Sequence, residues 1–122
     1  MAAHSGKVML VEDDAAMRSL LKTLLEIEGH PVVSYYEQSN PAGSILDMVR
    51  REQPSVVLLD VHLRGISGLD VLREIRADAG LNAMRVIMSS GMDVKDECMR
   101  AGATDFLLKP FMPDELLNRL LD

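Results

Sequence analysis

Four short apolar runs in this chain each hand over to a group that can do chemistry. Lys7-Val8-Met9-Leu10-Val11 leads into Glu12-Asp13-Asp14, and Val56-Val57-Leu58-Leu59 leads into Asp60. Val86-Ile87-Met88 leads into Ser89-Ser90, and Phe106-Leu107-Leu108 leads into Lys109. If the runs are parallel strands of one sheet, these groups share its carboxyl edge, where open α/β sheets place their ligand sites. The plain alternative is that strand ends reach water and turn polar, which accounts for any one of these residues better than for the whole set.

Charge balance narrows the chemistry. Two carboxylates 4 Å apart repel by about 4 kcal/mol at an effective dielectric of 20. Lys109 alone cannot neutralise three of them, whereas a divalent cation can. Magnesium is typically held by one or two carboxylates plus waters and phosphate oxygens, an arrangement that Glu12, Asp13 and Asp60 suit. An all-oxygen set disfavours zinc and copper. A bound cation reverses the local field, so that Lys109 and Ser90 can take two phosphoryl oxygens. Asp60, at the end of the most apolar run, is the natural nucleophile for forming an acyl phosphate. Phosphoryl transfer asks mainly for positioning and charge neutralisation, which these groups supply.

Competing motifs fail. Gly6-Lys7 precedes a strand, opens no helix and lacks the upstream glycine of a P-loop. Acids stand after the first run where a dinucleotide or flavin phosphate would need glycines, and they would repel a pyrophosphate. An Asp-x-Asp phosphatase pair would need a second acid where His62 stands, and nothing around Ser89 or Ser90 resembles a serine nucleophile motif.

The elements that must position these groups follow from periodicity. Met17, Leu20, Leu21, Leu24 and Leu25 recur at helical spacing, with Gly29 as the stop. Pro31 to Tyr36 is β-branched and aromatic and reads as a strand. Asn40-Pro41 is a helix start, the helix running through Ile45, Leu46 and Val49 to about Glu52 before Pro54. After Asp60 comes a loop with Gly65 and Gly68, then a helix marked by Leu69, Leu72 and Ile75. Val94 to Ala101 reads as a short helix stopped by Gly102, and Leu116, Leu117, Leu120 and Leu121 mark the last one. Five strands alternating with five helices predict an α/β domain with a mostly parallel sheet and right-handed crossovers. Continuously apolar strands mean that both faces of the sheet are covered by helices.

The bulk numbers agree with a single domain. The chain has 122 residues, of which 48% are hydrophobic, 26% charged and only 3% aromatic. That length buries one aliphatic core and is too short for two. One cysteine, Cys98, excludes an internal disulfide and a cysteine-based zinc cluster. A net charge of -6 argues against a non-specific nucleic-acid or anionic-membrane surface. The sequence has neither a membrane-spanning run nor a signal-peptide core, so the expectation is a cytoplasmic domain. His4 belongs to the terminal stretch, and His30 sits in a turn. Cys98 and the nine methionines read as packing residues.

In order and at these spacings the pieces resemble the receiver domain of the two-component response regulators, the CheY-like superfamily. The resemblance runs from Lys7 to Leu121. It rests on Leu10-Val11-Glu12-Asp13-Asp14 with Met17-Arg18, on Val57-Leu58-Leu59-Asp60, and on Gly68 eight residues further. It continues with Ser90 thirty residues after Asp60, then Ala101-Gly102-Ala103 and Asp105-Phe106-Leu107-Leu108-Lys109-Pro110-Phe111. The resemblance implies a flavodoxin-like fold, a doubly wound five-stranded parallel sheet of order 2-1-3-4-5, with residues 1–122 one receiver domain that is complete or a fragment of a longer regulator.

It implies roles as well. Asp60 matches the phosphoacceptor, Asp13 the more direct metal ligand and Glu12 a ligand acting partly through water. The backbone carbonyl of His62 completes the shell of Mg2+, for which Mn2+ can substitute. Lys109 contacts the phosphoryl group, and its peptide bond to Pro110 is expected to be cis. Ser90 and Phe106 take the switch positions, Ser90 drawn inward and Phe106 following. His62 and Met92 tune hydrolysis of the acyl phosphate, slowly for so bulky a pair. The expected partner is a histidine kinase or phosphotransfer protein, with no membrane or nucleic acid bound by this domain. The output face is the fourth helix, fifth strand and fifth helix, which is also the expected face of a homodimer. The chain is expected to catalyse only its own phosphorylation and dephosphorylation; a phosphorylation-independent docking or dimerisation module is the alternative.

Four positions depart from the common pattern. Arg64 stands where proline is usual, loosening or redirecting the loop or meeting a partner or the phosphoryl group. Ser67 replaces an Asp, Ser90 a Thr, and Gly91 an Ala. None removes a group that the reaction needs.

Overall fold

The computed structural model describes residues 6–35 and 45–121. The expected helix start at Asn40-Pro41, the last strand residue Tyr36, and His4 lie outside the described residues. The elements in chain order are β1 (Val8–Val11), α1 (Ala15–Ile27), β2 (Val32–Tyr35), α2 (Ile45–Glu52), β3 (Val56–Asp60), β4 (His62–Leu63), β5 (Ile66–Ser67), α3 (Gly68–Ala77), β6 (Arg85–Ser90), α4 (Lys95–Arg100), β7 (Asp105–Leu108) and α5 (Pro113–Leu120).

Five strands form one parallel sheet of order β2-β1-β3-β6-β7. Setting aside the small β4–β5 pair, this is the expected 2-1-3-4-5 order. The difference lies after Asp60, where a plain loop was expected. There, His62-Leu63 and Ile66-Ser67 pair as a two-residue antiparallel hairpin. Gly65 turns it at φ +69°, a conformation that glycine adopts without a Cβ penalty.

Side chains alternate along each strand and so divide between two cores. Val8, Leu10, Val56, Leu58, Ile87 and Leu107 face α1 and α5, meeting Leu21, Leu25, Leu116 and Leu120. Met9, Val11, Val57, Leu59, Val86, Met88 and Phe106 face the other way, meeting Met48, Val49, Val71, Leu72, Ile75 and Cys98 of α2, α3 and α4. Covering both faces is what lets the strands be apolar throughout.

The helix ends follow the sequence signals. At the end of α1, Gly29 (φ +90°) and His30 donate to the Glu26 and Leu25 carbonyls at 3.0 and 2.9 Å. At the end of α4, Gly102 (φ +106°) and Ala103 donate to the Met99 and Cys98 carbonyls at 3.1 and 3.0 Å. Both are Schellman endings, which is why glycine stands there. Ser67 caps α3, its hydroxyl accepting the Asp70 N–H at 3.4 Å, so the Asp-to-Ser departure keeps a capping oxygen. From the start of β6, Arg85 reaches the last turn of α5 and donates to the Arg119 and Leu120 carbonyls.

Candidate functional site

The sheet register builds the site. Val11 stands opposite Leu59, so Glu12 emerges beside Asp60. Asp60 stands opposite Ser89, and Ser90 opposite Leu108, which delivers Lys109 to the same edge. The Lys109 N–H donates to the Ser90 carbonyl at 2.8 Å, extending the ladder by one residue. The Lys109-Pro110 peptide that follows is cis.

The central contact is one ammonium between two carboxylates. Lys109 Nζ donates to Glu12 Oε1 at 2.8 Å and to Asp60 Oδ2 at 3.0 Å. Both acids are buried, Glu12 at 5% and Asp60 at 7% exposure. The remaining oxygens take backbone donors: Glu12 Oε2 accepts the Asp14 N–H at 3.1 Å, and Asp60 Oδ1 the His62 N–H at 3.3 Å. Burial pushes the Glu12 carboxyl above its ordinary value, against the pull of Lys109 and the Asp14 amide. For Lys109 burial works against the charge, but hydrogen bonds to Glu12 and Asp60 outweigh it and hold the ammonium above the ordinary lysine value.

The three consecutive acids have three different tasks. Glu12 meets Lys109. Asp13 Oδ2 accepts the backbone N–H of Arg64 at the hairpin turn. Asp14 is the N-cap of α1, accepting the Met17 N–H at 2.9 Å. Arg18 steadies this turn, its guanidinium donating to the Glu12 and Asp13 carbonyls at 2.7 and 3.4 Å.

Gly68 explains the glycine eight residues after Asp60. A Cβ there would lie 2.1 Å from the Asp60 carbonyl oxygen and 2.9 Å from Val61 Cα. The Gly68 N–H donates to the Val61 carbonyl at 2.8 Å. The start of α3 is therefore seated directly on the backbone of Asp60.

The other expected residues divide. Ser90 is fully buried beside the site, and its hydroxyl accepts the Met92 N–H at 3.0 Å. His62 on β4, Arg64 at the hairpin turn and Met92 after β6 are exposed around the edge. Phe106 lies in the core on the α4 side, at 6% exposure. Among the described residues no group of three or more His, Cys, Asp or Glu side chains could by itself hold a metal ion. Lys109 draws in two of the acids, and the Arg64 amide takes the third.

Four contributors went unassigned in the sequence reading: the Asp14 cap, the Arg18 clasp, the Gly68 seat and the Arg64 amide. Asp14 ahead of an apolar helix was a readable cap signal. A backbone amide has no side-chain signature, so the Arg64 contact had none.

These features define a receiver-type α/β domain with an acid–lysine edge. The family model for the response regulator receiver domain matches residues 8–121, and the chain belongs to that family, the receivers of two-component signalling. It is 34% identical over 116 residues to the DNA-binding response regulator MtrA of Mycolicibacterium paratuberculosis, covering 93% of this chain and 49% of that protein. The chain thus spans about half the length of the curated relatives it matches. A putative response regulator from Chloroflexus aurantiacus superposes with a TM-score of 0.85 at 26% identity, over 96% of this chain and 98% of that one. The receiver domain of the sensor histidine kinase PA1611 from Pseudomonas aeruginosa superposes with a TM-score of 0.79 at 26% identity, over 95% and 94%; it carries a magnesium ion coordinated in its active site cleft.

Proposed function

We propose that Asp60 is a phosphoacceptor. A carboxylate oxygen of Asp60 attacks the phosphorus of a phosphohistidine on a partner histidine kinase or phosphotransfer protein. The P–N bond breaks, imidazole leaves with the electron pair, and an acyl phosphate remains on Asp60. The observation that carries this reading is the Lys109 ammonium, 3.0 Å from the Asp60 carboxylate and already placed to pass to a phosphoryl oxygen.

The donor set fits Mg2+, with Mn2+ as a substitute. It is all oxygen, and one ammonium leaves the charge of Glu12, Asp13 and Asp60 uncompensated. Magnesium needs only one or two carboxylates plus waters, so the absence of a closed cage is no obstacle. Asp13 and Asp60 would hold it directly, Glu12 through water, and the His62 carbonyl would complete the set. An ion held there would supply the positive charge that lets phosphoryl oxygens approach the acids.

The Ser90 hydroxyl accepts the Met92 N–H and still carries its own O–H donor for a phosphoryl oxygen, and its move toward that oxygen is the local switching event. Phe106, packed in the core against α4, follows Ser90 and carries the change to α4, β7 and α5. The exposed Met99, Leu108 and Met112 make this face the output and homodimer surface. His62 and Met92 slow hydrolysis by shielding the acyl phosphate. The domain acts in the cytoplasm, transforms no substrate other than its own phosphoryl group, and leaves nucleic-acid contacts to other segments. No described helix is long and apolar enough to cross a membrane.

Mass spectrometry after incubation with acetyl phosphate and Mg2+ tests this. The wild type gains one phosphoryl group, and neither Asp60→Asn nor a chelated sample does. A wild type that binds Mg2+ yet takes up no phosphoryl from acetyl phosphate or from a phosphorylated kinase overturns the reading.

A further inference from the structure

We infer that the backbone amide of Arg64 competes with the cation for Asp13 and so lowers the affinity of this site for its metal. The inference rests on the reading above that the acidic edge takes a divalent cation.

The hairpin fixes where the amide points. Leu63 pairs with Ile66, leaving Arg64 and Gly65 as the two turn residues. The base of the hairpin is held on both sides: the Gly68 N–H is bonded to the Val61 carbonyl at 2.8 Å, and Ser67 caps α3. The turn is thereby presented to the β1–α1 loop, and the Arg64 N–H donates to Asp13 Oδ2 across 51 positions of sequence. Asp13 is itself steadied from the other side, where Arg18 holds its carbonyl at 3.4 Å. An N–H bond to a carboxylate is about twice as strong as a neutral one. It also withdraws negative charge from the oxygen that a cation seeks. Lys109 meanwhile bonds Glu12 and Asp60, and the amide is what meets Asp13.

The tether is a main-chain one, and that makes it separable. Changing Arg64 to alanine removes the guanidinium but keeps the N–H; changing it to proline removes both. The turn accepts proline. Gly65 carries the positive φ and Arg64 does not, which is the pattern of a type II turn with proline favoured at its first central position. Leu63 before it is already extended, as a residue preceding proline prefers.

Calorimetric titration with MgCl2 of the whole chain tests the idea. Arg64→Pro binds Mg2+ about tenfold more tightly than wild type, the equivalent of roughly 1.4 kcal/mol. Arg64→Ala stays within roughly twofold of wild type, because an exposed charge is screened. Amide exchange read by NMR gives a second arm that needs no variant at position 64. In metal-free wild type the residue 64 amide is protected although Arg64 is exposed; the protection is lost in Asp13→Ala and falls as Mg2+ is added.

Equal gains in Arg64→Ala and Arg64→Pro would assign the effect to the guanidinium and overturn the inference. So would unchanged or weaker binding by Arg64→Pro, or residue 64 protection that persists with bound Mg2+. If wild type and both variants take up no Mg2+, the cation reading itself falls and the inference with it. Binding by wild type without a gain in Arg64→Pro removes the inference alone.

Discussion

Lys109 is the residue on which the local electrostatics turn. It pairs with two carboxylates that are themselves buried, and burial alone raises the cost of their charges. Replacing it by methionine keeps the stem and removes the charge, leaving Glu12 and Asp60 facing each other. Lys109→Met should lose about 3 kcal/mol of stability, the low end for breaking a buried ion pair, because the crevice opens to solvent. Urea unfolding at neutral pH measures this, and a loss within 0.5 kcal/mol of zero, roughly the scatter of ordinary surface substitutions, would contradict it. Most of this residue-level chemistry was legible in the sequence, because side-chain type carries it: an acid, a hydroxyl and an amine after apolar runs. What was not legible is what the main chain supplies. Asp13 is met by an amide, and no choice of side chain at position 64 other than proline would alter that donor.

At the scale of elements, α3 and β3 are joined at a point where there is room for a hydrogen and nothing more. Gly68→Ala would drive its new methyl into the Asp60 carbonyl oxygen, backbone that cannot swing aside. We expect a loss of about 2–3 kcal/mol, as for overpacked sites, together with reduced phosphoryl uptake because the acceptor strand must shift. Chemical denaturation beside the mass-spectrometric assay reads both; unaltered stability with full uptake would show that the seat is not needed. The elements themselves were foreseeable where period and punctuation agree, as with Gly29 and Gly102 ending α1 and α4. The β4–β5 hairpin was not, because two-residue strands are too short to show a period of two. Phe106 lies on the face that α4 closes over, where strand alternation puts it.

For the whole molecule, the raised Lys109 value sets a pH dependence. A lysine whose folded-state pKa exceeds its unfolded value contributes stability that is fully present below about 10.5 and is lost as pH rises through the higher folded value. The difference in unfolding free energy between wild type and Lys109→Met should therefore be constant through neutral pH and shrink only above pH 10.5. A difference that already shrinks between pH 7 and 9 would mean the ammonium gains nothing from its two acids.

Arg85 adds a mechanical corollary. It stands at the foot of the same strand whose tip carries Ser90, and its guanidinium grips the final carbonyls of α5. A strand of six residues thus runs from the hydroxyl proposed to meet the phosphoryl group to the anchor of the last helix. Tension applied at that helix, by whatever molecule seizes it, would be delivered to the hydroxyl as readily as the hydroxyl's own displacement is delivered to the helix.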